Sequence, residues 1–501
     1  MRKPTPAFEP MPYKGKRVTV VCLGLFGGGL GVTRYLAELG AQITVTDRRK
    51  PEILQASIDA LKDLSVRYVI GKHEPADFTD TDLVVINPAV HPDSEIVQWA
   101  RGANVPITSE IKLVLELCKG TVVAVTGSNG KSTTTAMIGS ILKAHDADTL
   151  VGGNLGGSLL ATLAPFRSSR AGGCEAPVVL ELSSFQLEWL KRIGFPRPFD
   201  VAVFTTLTPN HLDWHKDFAD YAQAKFQLLR NQTDQGHCIL NADDAWVARF
   251  RHMAPGHPWL FSTRKAPDPG TVGGGVCHGW IQHVSAGRTT KLANLADLQL
   301  AGEHNLQNAI AACLATFAAG VSTDAIRAGL RAFGGLPHRL EKVGEGWNGE
   351  KFINDSIATT PESTLRALES YKDPITLIAG GSDKGLDYAD LGQAILHSTV
   401  RQVILMGVTG PKIAAAIRAA ESAAKAHAAE GATPPAMPTI VEVDSMEAAV
   451  TWAFADLHPK DVVLMSPASA SFDMFANFEQ RGEVFRREVL KRLPAKAESA
   501  A

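Results

Sequence analysis

Residues 124–135 read AVTGSNGKSTTT. The apolar run Thr121–Val125 leaves through a turn holding two glycines, an Asn and a single Lys, and four consecutive hydroxyl side chains follow. A strand that ends in such a turn and enters a helix is a cradle for phosphate. The N–H groups of Gly127, Ser128, Asn129 and Gly130 and of the first helical turn, through Thr133, point at the anion. Lys131 adds the charge, and the Ser132 hydroxyl can hold Mg²⁺. The eight-residue pattern G-x-x-x-x-G-K-[ST] needs glycine at 125, where Val125 stands, so the chain carries the tighter G-x-x-G-K-S of Gly127–Ser132. The plainer alternative is a strand-to-helix turn with a surface lysine.

Outward from this loop the order is strand, turn, helix throughout. Arg17–Leu23 is a buried strand followed by GLFGGG and a helix to Leu39; Ala41–Thr46 and Asp82–Ile86 are further strands. A polar break at Pro106–Ser109 precedes a second unit that runs through PVVLELSSFQL and DVAVFTTLT to an Ala-rich helix after Gly302. A Gly-Gly-Leu-Pro break at 334–337 opens a third, with strands at Lys351–Ile353, Ile375–Ala379, Val403–Met406, Thr439–Val443 and Val462–Ser466. Apolar strands alternating with helices imply an α/β fold of largely parallel sheets flanked by helices. The expected division is 1–109, 110–335 and 336–501, with Rossmann-like outer domains around a phosphate-loop domain. Lys412–Ala429 and GATPPAMPT read as a solvent-facing excursion, and the tail AKAESAA as disordered.

A chain of 501 residues is too long for one core. Its net charge of −2 gives no positive field for nucleic acid or an anionic membrane. Six scattered cysteines, without a C-x-x-C pair, fit reduced thiols in a cytosol. No signal peptide and no stretch of about 20 apolar residues is present. A cytoplasmic protein without membrane insertion is expected.

Four further features bear chemistry. The glycine turn Gly24–Gly29 followed by Asp47 resembles a dinucleotide fingerprint, but its G-x-x-G-G-G spacing makes an NAD oxidoreductase a weak reading. Glu181 ends a strand that otherwise needs apolar residues, beside the phosphate loop, which favours a metal ligand over a satisfied carboxylate. His211, Asp213 and His215 cluster after the strand VAVFTTL, on the usual ligand side of an open sheet. Asn305 and Asn308 stand three apart in the first turn of a helix, placed either to cap it or to meet an adenine edge.

Taken in order, TGSNGKSTTT, GGNLG (152–156), LELSSFQL (180–187), NHLDWH (210–215), YAQAK (221–225), EHNLQN (303–308), PHRLE (337–341), NDS (354–356) and SPASASFDMFANFEQRG (466–482) resemble the Mur ligase superfamily over nearly the whole chain, and its glutamate-adding branch best. The resemblance implies ATP-dependent addition of D-glutamate to UDP-N-acetylmuramoyl-L-alanine through an acyl phosphate. It implies ATP and two Mg²⁺, small-molecule substrates only, and a monomer. Lys131 would hold the β/γ-phosphates, Ser132 and Glu181 the first Mg²⁺, and His211 and Lys225 the second. A protonated lysine cannot ligate a cation, so Lys225 would be carbamylated. Gly24, Leu25, Phe26, Asp47, Arg48, Asn87, Asn154 and His211 would meet the UDP-sugar, and Asn305, Asn308, Arg339 and Asp355 the nucleotide. Thr359, Lys384, Ser471, Phe472 and Phe478 would hold glutamate.

Three positions depart from the pattern: Ile357 replaces a lysine in NDSIATT, Asn87-Pro88-Ala89 replaces Ser-Pro-Gly, and Phe472 stands where leucine is common. The alternatives are a ligase adding L-glutamate or another amino acid, a folylpolyglutamate synthase, or a non-catalytic nucleotide switch. Glu181, His211 and Lys225 together argue against the switch, which needs no second metal.

Overall fold

The computed structural model describes residues 13–23, 28–168, 173–264, 272–300, 302–383, 385–426 and 435–493. Gly24, Leu25, Phe26, Lys384, the tail AKAESAA and part of GATPPAMPT lie outside the described residues. The chain divides into two compact units, 1–333 and 334–501, with the division beside the Gly-Gly-Leu-Pro break.

The first unit holds two sheets. One is wholly parallel, in the order Val66–Ile70, Gln42–Asp47, Arg17–Val21, Leu83–Ile86, Ile107–Ser109. The chain winds in opposite directions from its first strand, which makes it a doubly wound, Rossmann-like sheet. The Pro106–Ser109 stretch, read as a break, in fact supplies the edge strand Ile107–Ser109. The Pro106 carbonyl accepts from Val84 N at 3.0 Å, and the missing proline N–H costs no ladder bond at the start of an edge strand.

The other sheet has nine strands among the described residues. Seven parallel strands run in the order Gly273–Cys277, His257–Phe261, His237–Asn241, Val201–Phe204, Val122–Thr126, Val178–Glu181, Leu150–Gly153, and the antiparallel pair Trp280–Ser285 and Arg288–Asn294 extends one edge. Val122–Thr126 is buried on both faces. Val122 and Ala124 join a core with Leu187, Phe226 and Leu229, while Val123 and Val125 join another with Ile138, Ile310 and Leu330. That two-sided burial is why the strand reads as an apolar run without alternation.

The second unit carries a six-stranded sheet, Glu341–Glu345, Lys351–Asn354, Val462–Met465, Ile375–Gly380, Val400–Met406, Thr439–Glu442, antiparallel only at its first pair. Its helix Gly410–Ala426 corrects the reading of a solvent-facing excursion. Ile413, Ala414, Ile417 and Ala420 are buried, and the helix lies against Ala389–Leu396 so closely that a Cβ on Gly392 would stand 2.6 Å from the Ala416 backbone. The small residues permit that approach. Ile417→Ala should therefore cost the second unit about 2–5 kcal/mol in urea unfolding, where a solvent-facing helix would lose under about 0.5 kcal/mol.

Candidate active site

Val178–Glu181, Val122–Thr126 and Val201–Phe204 are neighbouring parallel strands. Their C-terminal ends therefore bring Glu181, the phosphate loop and residues 205–211 to one side of the sheet. The loop is pinned by the continuation of the third strand. Ser128 N donates to Thr206 O at 2.7 Å, Asn129 N to Thr206 Oγ1 at 3.0 Å, and Thr208 N to Ser128 Oγ at 2.9 Å. The Ser128 hydroxyl also meets the Tyr221 hydroxyl at 2.9 Å. Gly130, at φ 80°, opens the helix Lys131–His145 without a side-chain cap, so its first N–H groups are the ones an anion meets. A Cβ at 130 would come within 2.5 Å of Asn308 Oδ1. Lys131 Nζ donates to Ser128 O at 2.9 Å, folded back over the loop. Ser132 is half-buried and Thr133 buried on the same turn.

Glu181 is 2 % exposed. Its Oε1 accepts from Asn154 Nδ2 at 2.9 Å, and its Oε2 is buried without a hydrogen-bond partner. Asn154 also donates its backbone N–H to Glu181 O at 2.8 Å, so Asn154 serves first to aim this carboxylate. A buried carboxyl oxygen with no donor is costly unless a cation meets it, and the residues fit Mg²⁺ in that respect. Among the described residues no three His, Cys, Asp or Glu side chains converge as a ready metal site, so a cation at Glu181 must take its remaining oxygens from hydroxyls, water or phosphate.

Lys225, on the helix Phe218–Arg230, is 2 % exposed, which removes the surface-lysine reading. Its Nζ donates to Thr126 Oγ1 at 3.4 Å and lies 4.9 Å from the centre of the Tyr221 ring. Burial, with the Lys131 charge second, pushes the amine well below the ordinary lysine range, while Glu181 acts the other way. His211 is exposed, at φ 55°. Although the residue is exposed overall, partial desolvation of its ring, with the charge of Lys225 second, lowers its pKa. Of the expected histidine cluster only His211 stays available. His215 is buried, with Nε2 2.9 Å from Ser184 Oγ and Nδ1 3.3 Å from Asp220 Oδ2, which makes it a structural residue, and Asp213 is exposed.

Asn308 is buried and accepts from Thr134 Oγ1 at 3.2 Å, tying its helix to the phosphate-loop helix. It does not cap, because the cap position is Gly302. Asn305 is half-buried one turn earlier. In the first sheet, Asp47 is buried against Arg49, accepting its backbone N–H at 2.9 Å and its guanidinium at 3.2 Å, so Arg48, exposed, is the freer neighbour. Asn87 turns on itself, its Oδ1 accepting Ala89 N at 2.9 Å.

In the second unit, Asp355 is buried. It accepts from Leu340 N at 3.1 Å and Ser466 Oγ at 2.8 Å, beside an exposed Arg339. Thr359 is half-buried, Ser471 is buried, Phe472 is 54 % exposed and Phe478 is half-buried. Ser471 O accepts Phe475 N at 2.9 Å, closing the turn that carries Phe472.

The sequence matches the Mur ligase middle domain over residues 125–316, the Mur ligase glutamate ligase domain over 338–469 and the MurD-like N-terminal domain over 16–109. It is 39% identical over 488 residues to the UDP-N-acetylmuramoylalanine--D-glutamate ligase of Roseiflexus sp. (strain RS-1), covering 96% of this chain and 99% of that one. The chain belongs to the Mur ligase family. It is 35% identical to the enzyme of the same name from Caldanaerobacter subterraneus, again over 96% and 99%. Among solved structures it is similar to UDP-N-acetylmuramate-alanine ligase MurC from Thermotoga maritima, with TM-score 0.57 and 19% identity over 95% of this chain and 99% of that one. MurF from Acinetobacter baumannii gives TM-score 0.53 and 18% identity over 97% and 93%. At these identities the structural likeness bears on the fold alone. No helix among the described residues is long and apolar enough to cross a membrane.

Two residues of this Mur ligase escape sequence reasoning. Tyr221 supports both Ser128 and Lys225, and its four-residue spacing from Lys225 was the available signal. Arg481 is 1 % exposed and gives its guanidinium to Ser356 Oγ (3.0 Å), Ser356 O (2.8 Å) and Ser469 O (3.0 Å). It thereby ties NDS to the SASF turn, and burial lowers it to about 10.

Burial also pushes the Asp355 carboxyl up to about 7. Unfolded, it titrates near 3.9. Between the two values the folded state holds the extra proton, so stability falls as pH rises through this window, by on the order of 1 kcal/mol per unit. Asp355→Asn should flatten that slope in denaturant unfolding followed from pH 5 to 8; an unchanged slope would contradict the assignment.

Proposed function

We infer that this Mur ligase joins D-glutamate to UDP-N-acetylmuramoyl-L-alanine at the expense of ATP, releasing ADP and phosphate through an acyl phosphate. The names of its relatives support the substrates. The observation that carries the reading is the meeting of Lys131, the unpartnered Glu181 oxygen and the buried Lys225 at three adjoining strand ends.

Domains 1–109, 110–335 and 336–501 would take the UDP-sugar, ATP and glutamate. Lys131 and the loop N–H groups hold the transferring phosphate, and Asn308 keeps the adenine-side helix against the loop. Ser132 and Glu181 would hold one Mg²⁺, and His211 with carbamylated Lys225 a second. Bound Mg²⁺ neutralises charge on the phosphates as phosphoryl transfer proceeds. The low proton affinity of Lys225 leaves an amine able to attack CO₂: an N–C bond forms, the nitrogen loses a proton to solvent, and the result is an anionic oxygen ligand. Arg339 and Asp355 would flank the nucleotide, and Thr359, Lys384, Ser471, Phe472 and Phe478 the amino acid. The remaining chemistry is positioning and charge neutralisation.

Phosphate release should be measured with ATP, Mg²⁺ and UDP-N-acetylmuramoyl-L-alanine, offering D-glutamate, L-glutamate and other amino acids separately. Release with D-glutamate alone supports the reading, while preference for another amino acid overturns the substrate assignment. Lys131→Ala should lower turnover by on the order of 10²–10³ with an unchanged unfolding curve.

A further inference from the structure

The loop after Leu83–Ile86 belongs to the first sheet, yet the nine-stranded sheet's own elements hold it. Trp214 Nε1 donates to Ala89 O at 3.1 Å, and Trp189 Nε1 to Val90 O at 3.0 Å. Consecutive carbonyls of one loop are thus each captured by an indole. The two tryptophans are not equivalent. Trp189 is fully buried and packs in the first sheet's core with Val21, Phe78 and Ile86, so it is an anchor. Trp214 is half-buried and sits in the turn that His211 opens, its backbone N–H donating to His211 O at 3.1 Å. Its ring lies 4.4 Å from Phe185, which also meets the His211 ring at 4.9 Å, and 5.2 Å from His91 of the same loop.

We propose that Trp214 is a positioning residue that couples the Asn87–His91 loop to His211, so that the sugar-nucleotide side of the site and the second-metal side take up their geometry together. The turn departs from Ser-Pro-Gly at Ala89, and the Ala89 carbonyl is the very group Trp214 captures. Asn87 closes the turn from the other side through Ala89 N. Ala89 is therefore held at both its N–H and its carbonyl, and only the second bond reaches His211's turn. Phe185 completes the connection, because it is the second residue of the helix Ser184–Ile193, four residues beyond Glu181 at the end of its strand. Phe185 thus meets the His211 ring edge-on and the Trp214 ring at a tilt, and Trp214 in turn holds the loop. The kinetic consequence rests on the functional reading above; the mechanical one does not.

Trp214→Phe keeps an aromatic ring against Phe185 while removing the N–H that Ala89 O accepts, together with part of the indole. In the unliganded protein, hydrogen exchange followed by mass spectrometry should quicken in peptides covering 87–93 and 209–216, on the order of fivefold for one lost hydrogen bond, and remain unchanged elsewhere. In steady-state assays KM for UDP-N-acetylmuramoyl-L-alanine should rise several-fold while KM for ATP stays within twofold. His91→Ala, which removes the loop's ring contact with Trp214 along with the bond that His91 Nδ1 accepts from Asp93 N, should give the same split more weakly. Unchanged exchange in both peptides overturns the proposal, as does an equal rise in both KM values. Quickened exchange in Trp214→Phe, alongside a native chain that ligates none of these substrates, would instead remove the functional reading and leave the coupling standing.

Discussion

A lysine amine buried to 2 % exposure without a carboxylate partner is the group on which the rest of this site depends. Among the described residues no acidic oxygen lies within ion-pair distance of Lys225, and its compensation is a long bond to Thr126 Oγ1 and the face of Tyr221. Burying a bare cation on those terms costs several kcal/mol, more than one hydroxyl bond or one cation–π contact returns. The protein meets that cost by lowering the amine's proton affinity through burial and the nearby Lys131 charge. Glu181 shows the opposite imbalance close by, a buried carboxyl oxygen without a donor. A cation-poor carboxylate and an acid-poor lysine side by side make little sense as packing and good sense as a place where metal and phosphate charge arrive.

Strand geometry makes the juxtaposition inevitable. The register pairs Val125 with Glu181 and Thr126 with Phe204, so the phosphate loop leaves between the carboxylate strand and the strand that leads to His211. The helix carrying Lys225 then returns beneath the loop, where Tyr221 meets Ser128. In the second unit Arg481 does a comparable task for the turn around Ser471, supplying donors to the buried Ser356 and Ser469 carbonyls and a second donor to Ala470 O, which also accepts from Ser382 N.

Much of this was legible. The G-x-x-G-K-S turn, the lone acid ending VVLE and the paired asparagines each name their place, because the chemistry needs unusual residues where a fold would not choose them. The largely parallel sheets around them followed from apolar runs too uniform for a half-exposed sheet. What was not legible depends on partners distant in sequence. His215 read as one of a cluster on the ligand side of the sheet, and Ser184 and Asp220 meet both its nitrogens. The bonds that Asp47 accepts from Arg49, two residues on, carry no sequence signal of their own. The Ala-rich Gly410–Ala426 helix looked soluble because alanine is equally at home on a surface and in a tight helix pair, and only Gly392 opposite decides. The burial of Lys225 was legible and overlooked: Tyr221, Ala224, Lys225, Leu228 and Leu229 fall on one helical stripe, and all are buried.

In the proposed reaction Lys225 works as a carbamate anion and not as a cation. Carbon-13 NMR of the full chain equilibrated with ¹³CO₂ tests it directly, since the modified nitrogen carries a carbon that no ordinary side chain has. A carbamate resonance should appear with ¹³CO₂, persist with Mg²⁺ and nucleotide present, and be missing from Lys225→Ala prepared identically. A native spectrum without that resonance, in a protein that still ligates at full rate, would contradict it.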